Sequence, residues 1–118
     1  MGYDRSHAIV ISSSLPELLL EANDKAVDLF GEQVSNIVKG KINGVDSFFI
    51  GPDGSKEGWK DSDNGDVLRK KYIAWLNSKA YDDKSNCLSY VEVQYGDDMN
   101  DTRIINSSDD FKIGLKRG

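Results

Sequence analysis

The chain has very few of the residues that disulfides, zinc sites and nucleophilic sites require. It contains one cysteine, Cys87, and one histidine, His7, so neither an internal disulfide nor a Cys/His zinc site fits within one chain. A Cys87–His7 nucleophilic pair is the remaining option, because strand ends can meet in space, but no local motif supports it. We therefore predict no catalytic residues, no metal and no cofactor.

Long hydrophobic runs are also missing. The longest, such as Ala8–Ile11 and Leu18–Leu20, are far too short to span a bilayer. The first ten residues, MGYDRSHAIV, lack the apolar core of a signal peptide. With 118 residues, 38% of them hydrophobic and 30% charged, the sequence predicts one domain, 1–118, of a cytoplasmic protein that does not bind membranes.

Basic residues are fewer than acidic ones: the chain has 15 Lys and Arg and 20 Asp and Glu, which gives a net charge of −5. Nucleic-acid binding depends on clustered Lys and Arg, so the composition argues against it. An acidic protein suits a basic protein partner, although the same charge also serves ordinary solubility. The composition does not decide the oligomeric state.

The pattern of apolar residues predicts an α+β domain. The run 7–12 (HAIVIS) is typical of a buried central strand. A helix near 15–30 follows, with Ser14 and Glu17 as a capping box and Gly31 as its stop. Asn43-Gly44 predicts a hairpin between Val34–Ile42 and Val45–Ile50.

The second half continues with a helix over about 65–79, capped by Asp63 or Asn64 and carrying a basic edge at Arg69, Lys70 and Lys71. Strands follow at Leu88–Tyr95 and Thr102–Asn106. The order matches a ferredoxin-like β-α-β-β-α-β arrangement with an added C-terminal hairpin strand, and two helices on one face of a mainly antiparallel sheet. We expect an ordered core of about 7–106 and flexible termini.

The loop 51–65, between the strand Val45–Ile50 and the second helix, is the candidate working surface, because loops on a rigid scaffold often carry function. Trp59 is either a lid folded onto the core or an anchor for a partner. Asp61, Asp63 and Asp66 resemble a metal loop, but they lack the terminal Glu of an EF-hand, and helix capping explains them. The predicted partner-binding residues are Asp53, Lys56, Glu57, Trp59, Asp61 and Asp63, with Asp97 and Asp98 in a second turn.

A ligand-binding surface is the alternative. The segment 51–58 (GPDGSKEG) is rich in glycine but matches neither a P-loop nor a dinucleotide fingerprint. Alternation in the strong strand puts Tyr90, Glu92 and Gln94 on one face, opposite Val91, Val93 and Tyr95. That polar face is either simply exposed to solvent or forms a ligand-binding site together with the loop 51–58. The candidate ligand-binding residues are Gly54, Ser55, Lys56, Tyr90, Glu92 and Gln94.

Three blocks of the sequence, HAIVIS, SFFIGPDGSKEGW and YVEVQYGDD, resemble an uncharacterised family of small proteins encoded by bacteriophages, prophages and related bacterial genomes. The resemblance covers most of residues 7–108. It supplies no catalytic residues and no substrate, and implies only a setting, an accessory gene of a mobile element.

Two hypotheses follow. The first is a phage-type, non-enzymatic binding module that docks to a bacterial host protein through an acidic surface and inhibits a defence or regulatory component. The second is a small-molecule or nucleotide-binding domain, with hydrolytic activity as an option. A structural, self-assembling phage component is a third interpretation.

Overall fold

Strand β1 (Arg5–Ser13) is the centre of the sheet in the computed structural model, which describes residues 5–56, 58–96 and 102–117. Its neighbours are β2 (Asp46–Ile50) and β3 (Ser89–Gly96), and β4 (Arg103–Ser107) pairs with the outer edge of β3. Every one of these pairings is antiparallel. The predicted interior position of this strand is therefore confirmed, but only one of its faces is buried, since Val10 is 41% exposed.

Helix α1 (Pro16–Phe30) matches its prediction closely. Leu19, Ala22, Ala26 and Phe30 form its buried stripe, at the spacing of a single helical face. The predicted capping box is wrong, since the residue before the helix is Leu15 and makes no side-chain cap. Instead, the Ser13 hydroxyl accepts the Leu15 N–H at 3.0 Å.

The segment from Gly31 to Val45 departs from the prediction. After a short 3₁₀ turn, Gly31–Gln33, only isolated bridges at Val34 and Val38 join it to β2. The Asn43-Gly44 turn is confirmed, with φ of 64° at both residues. The predicted strand over 34–42 is not regular because side chains replace ladder bonds: the Ser35 hydroxyl accepts the N–H of Phe49 at 2.9 Å.

Asp46 holds the part of this irregular segment around Lys39 and Gly40 against β2. Its carboxylate accepts the Gly40 N–H at 3.0 Å and the Lys39 ammonium at 3.1 Å. Those two donors hold the pKa of Asp46 below its ordinary value. A side chain at position 40 would collide with the turn, because a Cβ there would lie 2.0 Å from the carbonyl oxygen of Val45.

Helix α2 (Lys60–Ser78) begins earlier than predicted, directly after Trp59, with Asp61 and Asp63 in its first turn. Those two carboxylates complement the positive end of the helix dipole. Tyr72 and Leu76 are completely buried, and the Tyr72 hydroxyl donates to the Ala22 carbonyl of α1 at 2.7 Å. Burial raises the pKa of Tyr72.

A third helix, α3 (Ser108–Ile113), lies where the sequence analysis expected a flexible terminus. The Ser107 hydroxyl accepts the Asp110 N–H at 3.0 Å and caps it. Arg117 then donates to both carboxylate oxygens of Asp110, at 2.5 and 3.1 Å. This ion pair holds the pKa of Asp110 below its ordinary value and ties the end of the chain to the helix.

Within the described residues the chain is thus a single α+β domain, with a four-stranded antiparallel sheet and three helices. Its core lies between α1, α2 and one face of the sheet, where Ile9, Ile11 and Phe48 pack. This confirms the predicted α+β class but not the ferredoxin-like order, because the segment 34–42 forms isolated bridges rather than a strand. None of the helices in the part of the chain that is described is long and apolar enough to cross a membrane.

We predict that Gly40→Ala lowers the free energy of unfolding by about 1–3 kcal/mol, because the new methyl group has to displace the backbone at Val45. Urea denaturation measures the loss. Lys41→Ala, at an exposed neighbouring position, is the control and should change stability by less than about 0.5 kcal/mol. Equal effects of the two substitutions would contradict the close approach at Gly40.

Candidate functional site

A tight turn opens the long loop between β2 and α2. The Asp53 carboxylate accepts both the backbone N–H of Ser55, at 2.8 Å, and its hydroxyl, at 2.6 Å. Gly54 between them has φ of 81°, which favours glycine. Partial burial raises the pKa of Asp53, but the two Ser55 bonds and the nearby Arg69 charge outweigh it, so the pKa lies below its ordinary value.

Trp59 ends the loop and starts the helix. It has extended backbone angles, and its carbonyl accepts the Asp63 N–H at 3.2 Å as the first turn of α2 forms. Its side chain is 47% exposed, so the indole does not belong to the buried core. It lines an open cavity instead.

This cavity, hereafter the Trp59 cavity, lies between the end of α1, the loop and the first turns of α2. Its volume is about 410 Å³, within the range of small-molecule pockets. Phe30 and Leu68 contribute apolar surface, and Gln33 and Asn64 contribute amides. The charged and aromatic lining consists of Asp53, Trp59, Asp61 and Arg69.

Arg69 is the buried charge of the cavity, with only 8% of the residue exposed. Its guanidinium pairs with Asp66 one turn earlier, and its Nε lies 3.7 Å from Oε2 of Glu92 on β3. Glu92 is 5% exposed and also accepts the side-chain amide of Asn106 at 2.7 Å. The pair therefore joins the helix to the sheet through groups that are satisfied on both sides.

Gly65 makes room for this arrangement. A Cβ at that position would lie 3.0 Å from a guanidinium nitrogen of Arg69 and 3.3 Å from the carboxylate of Asp53. The helix backbone thus approaches both charged groups closely. This explains a buried glycine in the interior of a helix, where glycine is otherwise unfavourable.

The polar face of β3 is not where the sequence analysis placed it. Tyr90, Glu92 and Gln94 are all buried, at 4–5% exposure, on the side of the sheet that the helices cover. The prediction of a solvent-exposed face is therefore wrong. Val91 and Val93 occupy the uncovered side, because neighbouring residues of a strand point to opposite faces.

Tyr90 is also remote from the loop. Its hydroxyl donates to Asn77 near the end of α2 at 2.5 Å, and it lines two other cavities beside α3. Burial raises the pKa of Tyr90 to about 12, with the charges of Glu92 and Asp110 adding to the effect and the Asn77 bond opposing it. It therefore cannot share the Trp59 cavity with Ser55.

The structure brings together five of the residues that the sequence predicted: Asp53, Gly54, Ser55, Trp59 and Asp61 line one cavity. Lys56 and Asp63 are exposed and do not appear in that lining. Glu92 contacts the cavity only through Arg69. Glu57, Asp97 and Asp98 lie outside the described residues.

The remaining motifs do not form sites. Asp61, Asp63 and Asp66 lie in the first two turns of α2, and no group of three or more His, Cys, Asp or Glu side chains suited to a metal occurs among residues 5–56, 58–96 and 102–117.

The Cys87–His7 pair is ruled out by register. His7 pairs with Gln94, seven residues beyond Cys87 and therefore about 20 Å along the strand. The Cys87 thiol instead lies 3.1 Å from the Tyr81 hydroxyl.

Sequence reasoning missed Arg69, which it assigned to an exposed basic edge with Lys70 and Lys71. A signal for its burial exists in the spacing. Gly65, Arg69, Tyr72 and Leu76 follow the i, i+4, i+7, i+11 pattern of one helical face, and all four are buried.

Comparison with known proteins adds no relative: no family model, no curated protein and no solved structure matches the chain. The function is therefore argued from the cavity itself.

We predict that Arg69→Ala lowers the free energy of unfolding by about 3–5 kcal/mol, because it leaves the buried Glu92 carboxylate without its cation. Asp66→Asn removes the other carboxylate partner, whose side chain is 50% exposed, and should cost no more than about 1 kcal/mol. Chemical denaturation of both variants checks the contrast. Similar small losses would show that the Arg69–Glu92 pair does not hold α2 to the sheet.

We also predict that Ser55→Ala raises the pKa of Asp53, because it removes the hydroxyl that bonds only the ionised carboxylate. Carboxyl carbon shifts followed by NMR through an acid titration measure this. The linked stability is present above the ordinary pKa of about 3.8 and is lost as the pH falls through the lower folded value. Asp83 and Ser85 form the same turn and serve as the unchanged reference in the same spectrum.

Proposed function

We propose that the chain is a non-enzymatic binding module whose Trp59 cavity receives a basic side chain of a partner protein. The observation that carries this proposal is the half-exposed Trp59 indole beside the carboxylates of Asp53 and Asp61, on one open cavity of about 410 Å³. Aromatic anchors of this kind dominate the binding energy of many interfaces.

The charges around the cavity favour a cation. The positive charge of Arg69 is already matched by Asp66 and Glu92, so the carboxylates of Asp53 and Asp61, which line the same cavity, give the cavity an excess of negative charge. The low pKa of Asp53 keeps it ionised at neutral pH. A Lys or Arg side chain entering here would meet a carboxylate and the face of an indole together, and both interactions attract cations.

The chain itself contains a comparable contact. The Lys79 ammonium lies 4.9 Å from the ring centre of Trp75, which in turn stacks on Tyr72. Trp59 presents the same type of ring at the opening of a cavity, where a partner rather than the chain would supply the cation.

The proposed setting is the bacterial host of a phage. It rests on the resemblance of the blocks HAIVIS, SFFIGPDGSKEGW and YVEVQYGDD to phage and prophage proteins. A net charge of −5 would steer the module toward a basic surface. Inhibition of a defence or regulatory protein that normally uses that surface is the activity we assign to it.

A small molecule or nucleotide is the second candidate occupant, and one observation favours it. Arg69 lines the same cavity, and a guanidinium recognises phosphate and carboxylate groups. The two candidates differ in the sign of the ligand charge. A basic side chain would bind the carboxylates of Asp53 and Asp61. An anionic ligand would bind Arg69, which would have to release Asp66 or Glu92 first.

We predict that Trp59→Ala abolishes capture of a specific host protein in a tagged pull-down from bacterial lysate, read by mass spectrometry, while circular dichroism shows an unchanged fold. Tyr81→Ala removes another exposed aromatic, 60% exposed, and should leave capture intact. The Asp53→Asn/Asp61→Asn double variant should weaken capture at least tenfold, most at low salt, where charge interactions are least screened.

Two results would contradict the proposal. One is unfolding of Trp59→Ala, which would make the indole part of the structural framework. The other is a combined result in which no partner is captured and millimolar nucleotides raise the melting temperature of the protein. In that result, the Asp53→Asn/Asp61→Asn double variant shows the same rise in melting temperature as the wild type. That combination would favour the anionic ligand, because a ligand that binds only the folded state raises the melting temperature.

A further inference from the structure

The sheet has one face that helices α1 and α2 leave uncovered, and α3 with Arg117 borders part of it, where Asp109 and Arg117 line a cavity together with Val91 and Ile104. Its side chains alternate with the buried ones along β1, β2 and β3, and on β4 they are the strand partners of the β3 members. On β1 and β2 they are Ser6, Ala8, Val10, Ser12, Ser47 and Phe49. On β3 and β4 they are Ser89, Val91, Val93, Tyr95, Ile104 and Ser107. We call these twelve side chains the open sheet face.

None of these side chains is charged, although 30% of the chain is Asp, Glu, Lys or Arg. The apolar members are contiguous, because the strand register sets them side by side. Phe49, Val10 and Val91 form one row across β2, β1 and β3. Ala8, Val93 and Ile104 form the next row, across β1, β3 and β4.

Three of these six residues are exposed, Phe49 at 48%, Val10 at 41% and Ile104 at 38%. Ala8, Val91 and Val93 between them are half-buried. Val38, 66% exposed, extends the apolar surface beyond β2, because it forms an antiparallel bridge with Ser47 and so shares its face. Single exposed valines are ordinary, but a contiguous apolar surface across a sheet marks an interaction site.

We propose that two copies of this chain pack face to face through the open sheet face. The chain carries 20 acidic and 15 basic residues, for a net charge of −5, so two copies repel each other overall. The open sheet face itself carries no charged side chain, and Asp110 at its border is paired with Arg117, so this face meets its own copy with less repulsion than a charged surface would. A two-fold dimer requires a surface that is complementary to itself, and Val, Phe and Ile side chains on a twisted sheet interdigitate with a second sheet in this way.

The size of the face suits a weak dimer. Strands β1 and β3 are about 30 and 27 Å long, and β2, β4 and the segment 34–38 are about 17 Å each, so at about 4.8 Å between strands each copy offers about 500 Å². Two copies then bury about 1,000 Å², the size of a transient interface. We therefore expect a dimer that dissociates on dilution in the micromolar range.

The dimer and the Trp59 cavity do not compete. Trp59 lies at the start of α2, on the helix side of the sheet, so face-to-face packing leaves one cavity exposed on each outer side. A dimer would then present two binding sites to a repetitive partner and gain avidity. The dimer proposal rests on the sheet alone and stands whether or not the cavity binds a cation.

Sedimentation velocity of the full chain, from about 1 to about 200 µM, tests the proposal. The wild type should shift from the mass of one chain to that of two as concentration rises. Val10→Lys, in the middle of the face, should remain monomeric throughout. Val67→Lys places the same charge at another exposed valine, 62% exposed on α2, and should dimerise as the wild type does.

Circular dichroism confirms that each variant is folded, and Phe49→Lys on β2 replaces Val10→Lys if the latter is not. A monomeric wild type over the whole range would overturn the proposal. So would dimerisation of Val10→Lys or Phe49→Lys with unchanged affinity, since the contact would then lie elsewhere. Loss of the dimer in Val67→Lys as well would show a general charge effect and would also overturn it.

Discussion

The ion pair between Arg69 on α2 and Glu92 on β3 links the helix layer to the sheet at the polar end of the core. Two buried charges are tolerated there because each has further partners, Asp66 for the arginine and Asn106 for the glutamate. The pair also sets the position of the first turns of α2, and with them Trp59 and Asp61. The Trp59 cavity therefore depends on a contact that lies beneath it.

Coverage of only one face of the sheet explains the two most unexpected features of the chain. The helix side takes the polar residues of β3, because Arg69 and Asn106 are there to satisfy them. The valines of the same strand are left on the open sheet face. A strand whose polar side is buried and whose apolar side is only partly covered is the reverse of the usual antiparallel pattern. That reversal is why we assign the exposed side to a second copy of the chain.

Much of the fold was predictable from local signals. The spacing of Leu19, Ala22 and Ala26 specified α1, and Asn43-Gly44 specified a turn with two positive φ angles. The regularity of 34–42 was not predictable, because the replacement of ladder bonds by Ser35 and Asp46 depends on tertiary contacts. The sequence also contains two signals for helix α3, a serine cap at Ser107 and a glycine after its last residue at Gly114. These were not used, because a flexible terminus was expected there.

Part of the candidate site was predictable too, since the turn at Asp53 and Gly54 follows from loop composition. Composition left open whether Trp59 folds onto the core or stays exposed. The sequence could not show which side of β3 the helices cover. Alternation alone separates two faces and does not say which is inside. Glu92 and Arg69 are both buried because the helices cover the side of β3 that carries Glu92.

The most direct test of the binding role is an NMR titration that follows the two indole N–H signals of the protein. A short arginine-containing peptide is added, and the same peptide with norleucine in place of arginine is the control. The account predicts that the Trp59 signal and the amides of Gly54 and Ser55 shift with the arginine peptide only, while Trp75, already stacked on Tyr72 with Lys79 over its ring, stays in place. Equal shifts with both peptides, or shifts at Trp75 alone, would contradict a cation site in the Trp59 cavity.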